Sequence, residues 1–155
     1  MTKIKDMDSK TFISLEYRGP IEDLPYKDYI KKLKKWAKKK KAKPYGKPFF
    51  FYYHPYEERD EDKFRIDVAK PIKNFRKGGD GYKIKFLPKM TYAAKNFKGT
   101  PSDHQEAFEE IYEWIEEEGY RPYGNRMEVI KRKPKMKKGE LRIKSQLRIP
   151  VQKKV

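Results

Sequence analysis

Pro44-Tyr45-Gly46 returns later in the chain as Pro122-Tyr123-Gly124, and at the same offset Trp36 returns as Trp114. These are the only two tryptophans present, so their equivalent placement marks an internal duplication. Working outward from the triplet, Lys3-Ile4-Lys5 matches Lys83-Ile84-Lys85, Thr11-Phe12 matches Thr91-Tyr92, and Tyr17-Arg18-Gly19 matches Phe97-Lys98-Gly99. Each copy reads as a short strand (2–6; 82–87), a second strand (12–17; 91–97), a glycine turn and a helix. Two further strands follow in each (49–53 and 64–69; 127–131 and 141–149). In the first copy Tyr26, Tyr29, Ile30, Leu33, Trp36 and Ala37 recur at helical spacing, as do Ala107, Phe108, Ile111, Trp114 and Ile115 in the second. Ser102 or Asp103 is placed to cap the second helix. Lys- and Pro-rich turns are expected around 55–62 and 133–139.

The fold class that follows is α+β, two pseudo-symmetric β-β-α-β-β repeats in one domain. The boundaries are repeat one at 1–73, a connecting loop at 74–81, repeat two at 82–151 and a basic tail at 152–155. One half alone would leave a sheet edge and a helix face uncovered, so the halves are expected to fold together.

Composition narrows the function. With no cysteine among 155 residues, a disulfide scaffold, a thiolate zinc site and a cysteine nucleophile are excluded. No apolar run approaches the roughly 18 residues of a membrane span, and the N-terminus lacks the apolar stretch of a secretion signal. A soluble, cytoplasmic protein is expected. A net charge of +17 fits a nucleic-acid footprint, but 41% charged residues also fits adaptation to high temperature. The helices differ in sign: Lys27 to Lys41 crowd the first, Glu106 to Glu118 the second. Side by side on one sheet face they would attract, or the charges would serve a dimer contact; monomer and dimer both stay open.

The order of elements, with Tyr17-Arg18-Gly19-Pro20-Ile21-Glu22-Asp23-Leu24, Pro48-Phe49-Phe50-Phe51-Tyr52-Tyr53, Phe64-Arg65-Ile66-Asp67-Val68 and Gln146-Leu147-Arg148-Ile149-Pro150-Val151, resembles the GyrI-like family. That family includes the effector-binding domains of AraC- and MerR-type regulators and shares a SOUL-like duplicated fold. The resemblance implies a concave antiparallel sheet with two helices packed on it and a pocket between the repeats. Small hydrophobic, often cationic, molecules bind there against aromatic walls and an acid of the closing strand. Here that acid falls on Gln146, which supplies no negative charge and no base.

The expected function is therefore a stand-alone domain binding a small hydrophobic effector or xenobiotic, without cofactor or metal. Alternatives in the same frame are a hydrolase of strained cyclopropanoid or ester-like compounds using Asp67, or a partner of nucleic acid, of a regulator or of a topoisomerase. The candidate ligand-binding residues are Tyr52, Asp67, Trp36, Trp114, Gln146 and Glu16. Strand alternation sends Phe50 and Tyr52 to one face and Phe49, Phe51 and Tyr53 to the other, and Tyr52 is read as a pocket wall. Trp36 and Trp114 either pack in the core or close the pocket. Asp67 either pairs with Arg65 or Arg142 or serves the ligand, and Glu16 stands likewise. His54 and His104 show no metal spacing. The run 131–138 is the best nucleic-acid candidate, though without interleaved aromatics it also reads as a solvated turn.

Overall fold

The computed structural model describes residues 1–155. The chain runs β1 (Lys3–Met7), β2 (Lys10–Arg18), α1 (Tyr26–Lys39), β3 (Phe49–Tyr52), β4 (Arg65–Ile72), β5 (Lys83–Leu87), β6 (Met90–Gly99), α2 (His104–Glu117), β7 (Tyr120–Pro122), β8 (Met127–Lys137) and β9 (Glu140–Lys153). Short 3-10 turns occupy Ile21–Asp23, Glu61–Lys63 and Pro101–Asp103. All pairings are antiparallel, in the order β1-β6-β9-β8-β3-β4-β2-β5, with β7 added on β9. This is the α+β architecture of a duplicated sheet with two helices. No helix is long and apolar enough to cross a membrane.

The two repeats exchange their first strands. β1 pairs with β6 of the second repeat, and β5 pairs with β2 of the first. The register that sets Met7 opposite Met90 continues without a slip to Lys10 opposite Leu87. In effect β1–β2 is one long strand, broken at Asp8-Ser9, laid antiparallel on β5–β6, which breaks at Pro88-Lys89. Proline lacks the N–H a ladder needs, so a break there is expected. Since β1 ends one side of the sheet and β2 lies near the other, the sheet curls until its two ends meet at these breaks.

The turn expected over 133–139 is instead a ribbon. β8 and β9 run on to a two-residue turn, Lys138-Gly139, with φ of 52° and 78°. Positive φ at both central positions is the hairpin geometry that continues the strand twist. Pro134 is accommodated where the ladder shifts register between Ile130 and Arg132 and again before Lys135. The segment read as a tail is also paired: Gln152 and Lys153 face Arg121 and Tyr120 of β7.

Alternation along β3 divides the core as its aromatic run dictates. Phe50 and Tyr52 join a cluster of 21 buried residues under the helices, including Leu33 and Trp36 of α1 and Phe108, Ile111 and Ile115 of α2. Phe49 and Phe51 face the other way, into a nine-residue cluster with Met7, Phe12 and Tyr92, which only a curled sheet brings together. Phe12 is fully buried with its ring 4.8 and 5.1 Å from those of Phe49 and Phe51; each such ring contributes about 2–3 kcal/mol.

The second helix is led in by a capping box: Thr100 N–H donates to Asp103 Oδ2 at 2.9 Å, so Asp103 is one arm and Thr100, not Ser102, is the other. Gly99 is needed here for space, since a Cβ would lie 2.7 Å from Asp103 Oδ2. The expected attraction between helices gives way to local pairs. Lys32 bonds Asp28 within α1, while Glu110 and Glu116 of α2 reach Lys95 and Lys154.

Candidate functional site

Met127-Glu128-Val129-Ile130 is an apolar run of β8 with one carboxylate in it, and Glu128 is 0% exposed. Strand register sets it opposite Phe50 and Leu147, on the helix-covered face. A buried charge survives only with partners, and Glu128 has three. Tyr52 Oη donates to its Oε1 at 2.5 Å, Ser145 Oγ donates to its Oε2 at 2.5 Å, and His104 Nε2 lies 3.0 Å from the same oxygen. Burial alone would push the carboxyl up. The His104 contact and the hydrogen bonds from Ser145 and Tyr52 outweigh it and hold Glu128 below the usual carboxylate range, so it is ionised. Burial, followed by the charge of Glu128, drives the Tyr52 phenol well above its usual value, which keeps it a donor.

Beside this cluster a cavity of ≈ 240 Å³ lies between the repeats. Tyr52, His54 and Phe64 line it from the first repeat, and His104, Phe108 and Arg126 from the second. Glu22, Glu58 and Glu61 also stand around it, with Arg59 as a second cation beside Arg126. Arg126 is 6% exposed and lies over two aromatic faces, 4.7 Å from the Tyr52 centroid and 5.0 Å from that of Phe108, while its Nη1 donates to the His54 carbonyl. A cation is thus already built into the aromatic box. His54 stacks on Phe64 at 4.3 Å and accepts the Arg65 N–H at Nδ1; burial, then the charge of Arg126, lowers its pKa to about 4. Three buried polar atoms of the lining have no protein partner: His104 Nδ1, Gln105 Oε1 and Arg126 Nε. Tyr52, His54, Tyr56 and Arg126 also wall a second hollow of ≈ 410 Å³, so Arg126 stands between two spaces.

The chain matches the family model of the GyrI-like small molecule binding domain over residues 1–152. It belongs to the GyrI-like family. No curated protein sequence matches it. Among solved structures, the EcmrR C-terminal domain is similar with a TM-score of 0.70 at 18% identity, covering 99% of this chain and 98% of that one. In the EcmrR–DNA complex the same match spans 58% of the EcmrR chain. A hydrolase from Listeria innocua gives 0.69 at 14% identity over 97% and 91% of the two chains. SAV2435 bound to tetraphenylphosphonium gives 0.55 at 12% identity over 98% and 94%. At these identities the likeness is one of fold.

Of the residues singled out in this GyrI-like sequence, Tyr52 lines the cavity and the other five lie elsewhere. Trp36 is buried on the inner face of α1 and stacks on Tyr82, centroids 5.5 Å apart. Trp114 packs half-buried against the same core. Asp67 and Glu16 oppose one another on β4 and β2, on the face away from the helices. Arg65 Nε lies 2.9 Å from Glu16 and 3.8 Å from Asp67. Burial raises the Asp67 pKa against the pull of Arg65. Gln146 sits between Ser145 and Leu147, both turned to the helix side, so alternation turns it outward to Arg148 and Asn96. The residues that sequence reasoning missed are Glu128, His104 and Arg126. Glu128 did leave a signal: the duplication aligns it with Phe50, making it a lone charge at an apolar strand position.

Proposed function

We propose that this GyrI-like chain binds a compact, uncharged planar molecule carrying a hydrogen-bond donor and an acceptor, in the cavity between its repeats. One observation carries the reading: Arg126 covers the faces of Tyr52 and Phe108 beside the ionised Glu128. The cation–π and charge interactions that would reward an organic cation are already made within the protein. An anion is disfavoured by Glu22, Glu58 and Glu61 around the cavity. A neutral ring meets stacking surfaces, while Arg126 Nε offers a donor and Gln105 Oε1 an acceptor. At ≈ 240 Å³ the space is smaller than the roughly 300–1,000 Å³ of drug-sized sites.

The test is calorimetric titration with three probes of one size: neutral 2-quinolone, cationic N-methylquinolinium and anionic quinoline-2-carboxylate. The neutral probe should bind most tightly, and Arg126→Leu should raise affinity for the cation roughly tenfold, the worth of one to two freed aromatic faces. Tightest binding of the cation by the unaltered chain, or binding of none of the three, overturns the proposal.

A further inference from the structure

The largest concentration of charge lies away from this cavity. Two grooves of ≈ 580 and ≈ 620 Å³ adjoin at Arg132 and Lys133, which line both. The first runs between Lys27, Lys31 and Lys34 of α1 and residues 131–133 of β8. The second follows the β8–β9 ribbon to Lys98 at the end of β6. Eight lysines and arginines line each groove, two of them shared, and no carboxylate lines either.

A surface serving only resistance to heat would interleave the two signs as ion pairs. Here they are segregated. Of the cations lining the grooves only Arg142 is paired, with Glu140 at 3.6 Å, whereas the other Lys or Arg pairs with carboxylates, those of Arg18, Lys32, Lys63, Arg65, Lys95 and Lys154, lie outside them. The strand register makes the arrangement actively repulsive. Lys98 lies opposite Lys144, and Lys144 opposite Arg132, a row of three cations across three strands; Lys135 opposite Arg142 forms a second row. Like charges directly opposite destabilise a sheet, and apart from the Arg142–Glu140 pair no carboxylate offsets them. At the groove floor Lys70 is 8% exposed, its ammonium bonded to the Gly46 carbonyl. Burial, then Lys34 and Lys47, pulls its pKa down. A polyanion laid along the groove would relieve all of these at once.

We propose that this surface docks duplex DNA through its phosphate backbone, with the β8–β9 ribbon in the major groove and the flanking α1 lysines and Lys98 on the phosphates. The ribbon decides the form of nucleic acid. A two-stranded ribbon fits the major groove of B-DNA, about 12 Å wide, while the major groove of A-form RNA is too narrow and deep for it. Tyr26 is the only aromatic lining either groove, so a stacking platform for single strands is missing. Contacts to phosphates position without specifying sequence.

Anisotropy of a labelled 20-base-pair DNA, titrated with the protein from 50 to 200 mM salt, tests this. Affinity should fall linearly on logarithmic axes, each phosphate contact adding about 0.9 to the slope. The triple variant Arg132→Gln/Lys133→Gln/Lys144→Gln should flatten the slope by about 3 and weaken binding at 50 mM salt at least tenfold. A second triple, Lys27→Gln/Lys31→Gln/Lys34→Gln on the far wall, should act in the same direction. Lys3→Gln/Lys5→Gln/Lys89→Gln removes equal charge outside the grooves and should stay within twofold of the unaltered chain; thermal melts establish that each variant is folded. The proposal is overturned by absence of binding at 50 mM salt, by equal losses in all three triples, or by an RNA duplex or single strand binding as tightly as the DNA.

Discussion

Tyr52→Phe removes one oxygen from the molecule and leaves its ring, so the packing against His54, His104, Phe108 and Arg126 is preserved. What is lost is one of three partners of a fully buried carboxylate, at 2.5 Å. A hydrogen bond to a charged group contributes about 1.5–3 kcal/mol, and for a chain of 155 residues that corresponds to a drop of about 3–12 °C in melting temperature. The effect should be specific to the charge. In a Glu128→Gln background the same bond is neutral and contributes about 0.5–1.5 kcal/mol, so the double-mutant cycle should show a coupling of about 1–2 kcal/mol. The sign with pH follows from Glu128 being held below its unfolded pKa: its contribution is full above about 4.5 and is lost as pH falls through the folded value. Removing the Tyr52 donor raises that folded value, so the variant should lose stability at a higher pH than its parent. Urea unfolding followed by tryptophan emission at several pH values measures all of this. A cost below about 0.5 kcal/mol, or an equal cost in both backgrounds, would refute the assignment of Tyr52 as a donor to an ionised Glu128.

Three further outcomes are expected. His54 is held neutral, with a folded pKa of about 4 against 6.5 unfolded, so the unfolded chain takes the proton first and stability should fall as pH drops from 6.5 toward 4. With part of the ring facing the cavity the loss should be about 2 kcal/mol, and pH-resolved denaturation of His54→Gln should not show it. Trp36 has a buried N–H without a partner, so Trp36→Phe should cost about 1 kcal/mol or less and Trp36→Ala about 3–5; a Trp36→Phe cost of about 2 kcal/mol or more in denaturation followed by circular dichroism would mean the indole N–H is bonded. In the ribbon turn, Gly139→Ala at φ 78° should destabilise by about 1 kcal/mol, while Lys138→Asn, better suited to φ 52°, should raise the melting temperature.

What the sequence made legible was local. The tryptophan and Pro-Tyr-Gly pairs announced two repeats, and the alternation of Phe49 to Tyr53 announced two buried faces. Long-range pairing left no such mark: Lys3-Ile4-Lys5 is the same string whichever strand it joins, so the exchange of β1 and β5 between repeats was invisible. The run 131–138 read as a turn because lysine and proline dominate it; the decisive pair was Lys138-Gly139 at its end. Trp36 and Trp114 occupy equivalent places, yet Tyr82 covers only the first. Position in a repeat fixes an element and not its neighbours. The acid that the family resemblance implies for the closing strand likewise falls on Gln146, while the buried acid stands one strand earlier at Glu128.

The strand exchange also orders events on the ribosome. Within this domain β1 emerges before the other strands, but its partner is Met90 to Ala94. At roughly 5–20 residues per second, translation must continue for on the order of ten seconds before that partner exists. The nascent first repeat therefore leaves the exit with β2 open on the side that β5 will fill, and with β1 unpaired. The domain's leading strand is closed only once its second repeat has been made.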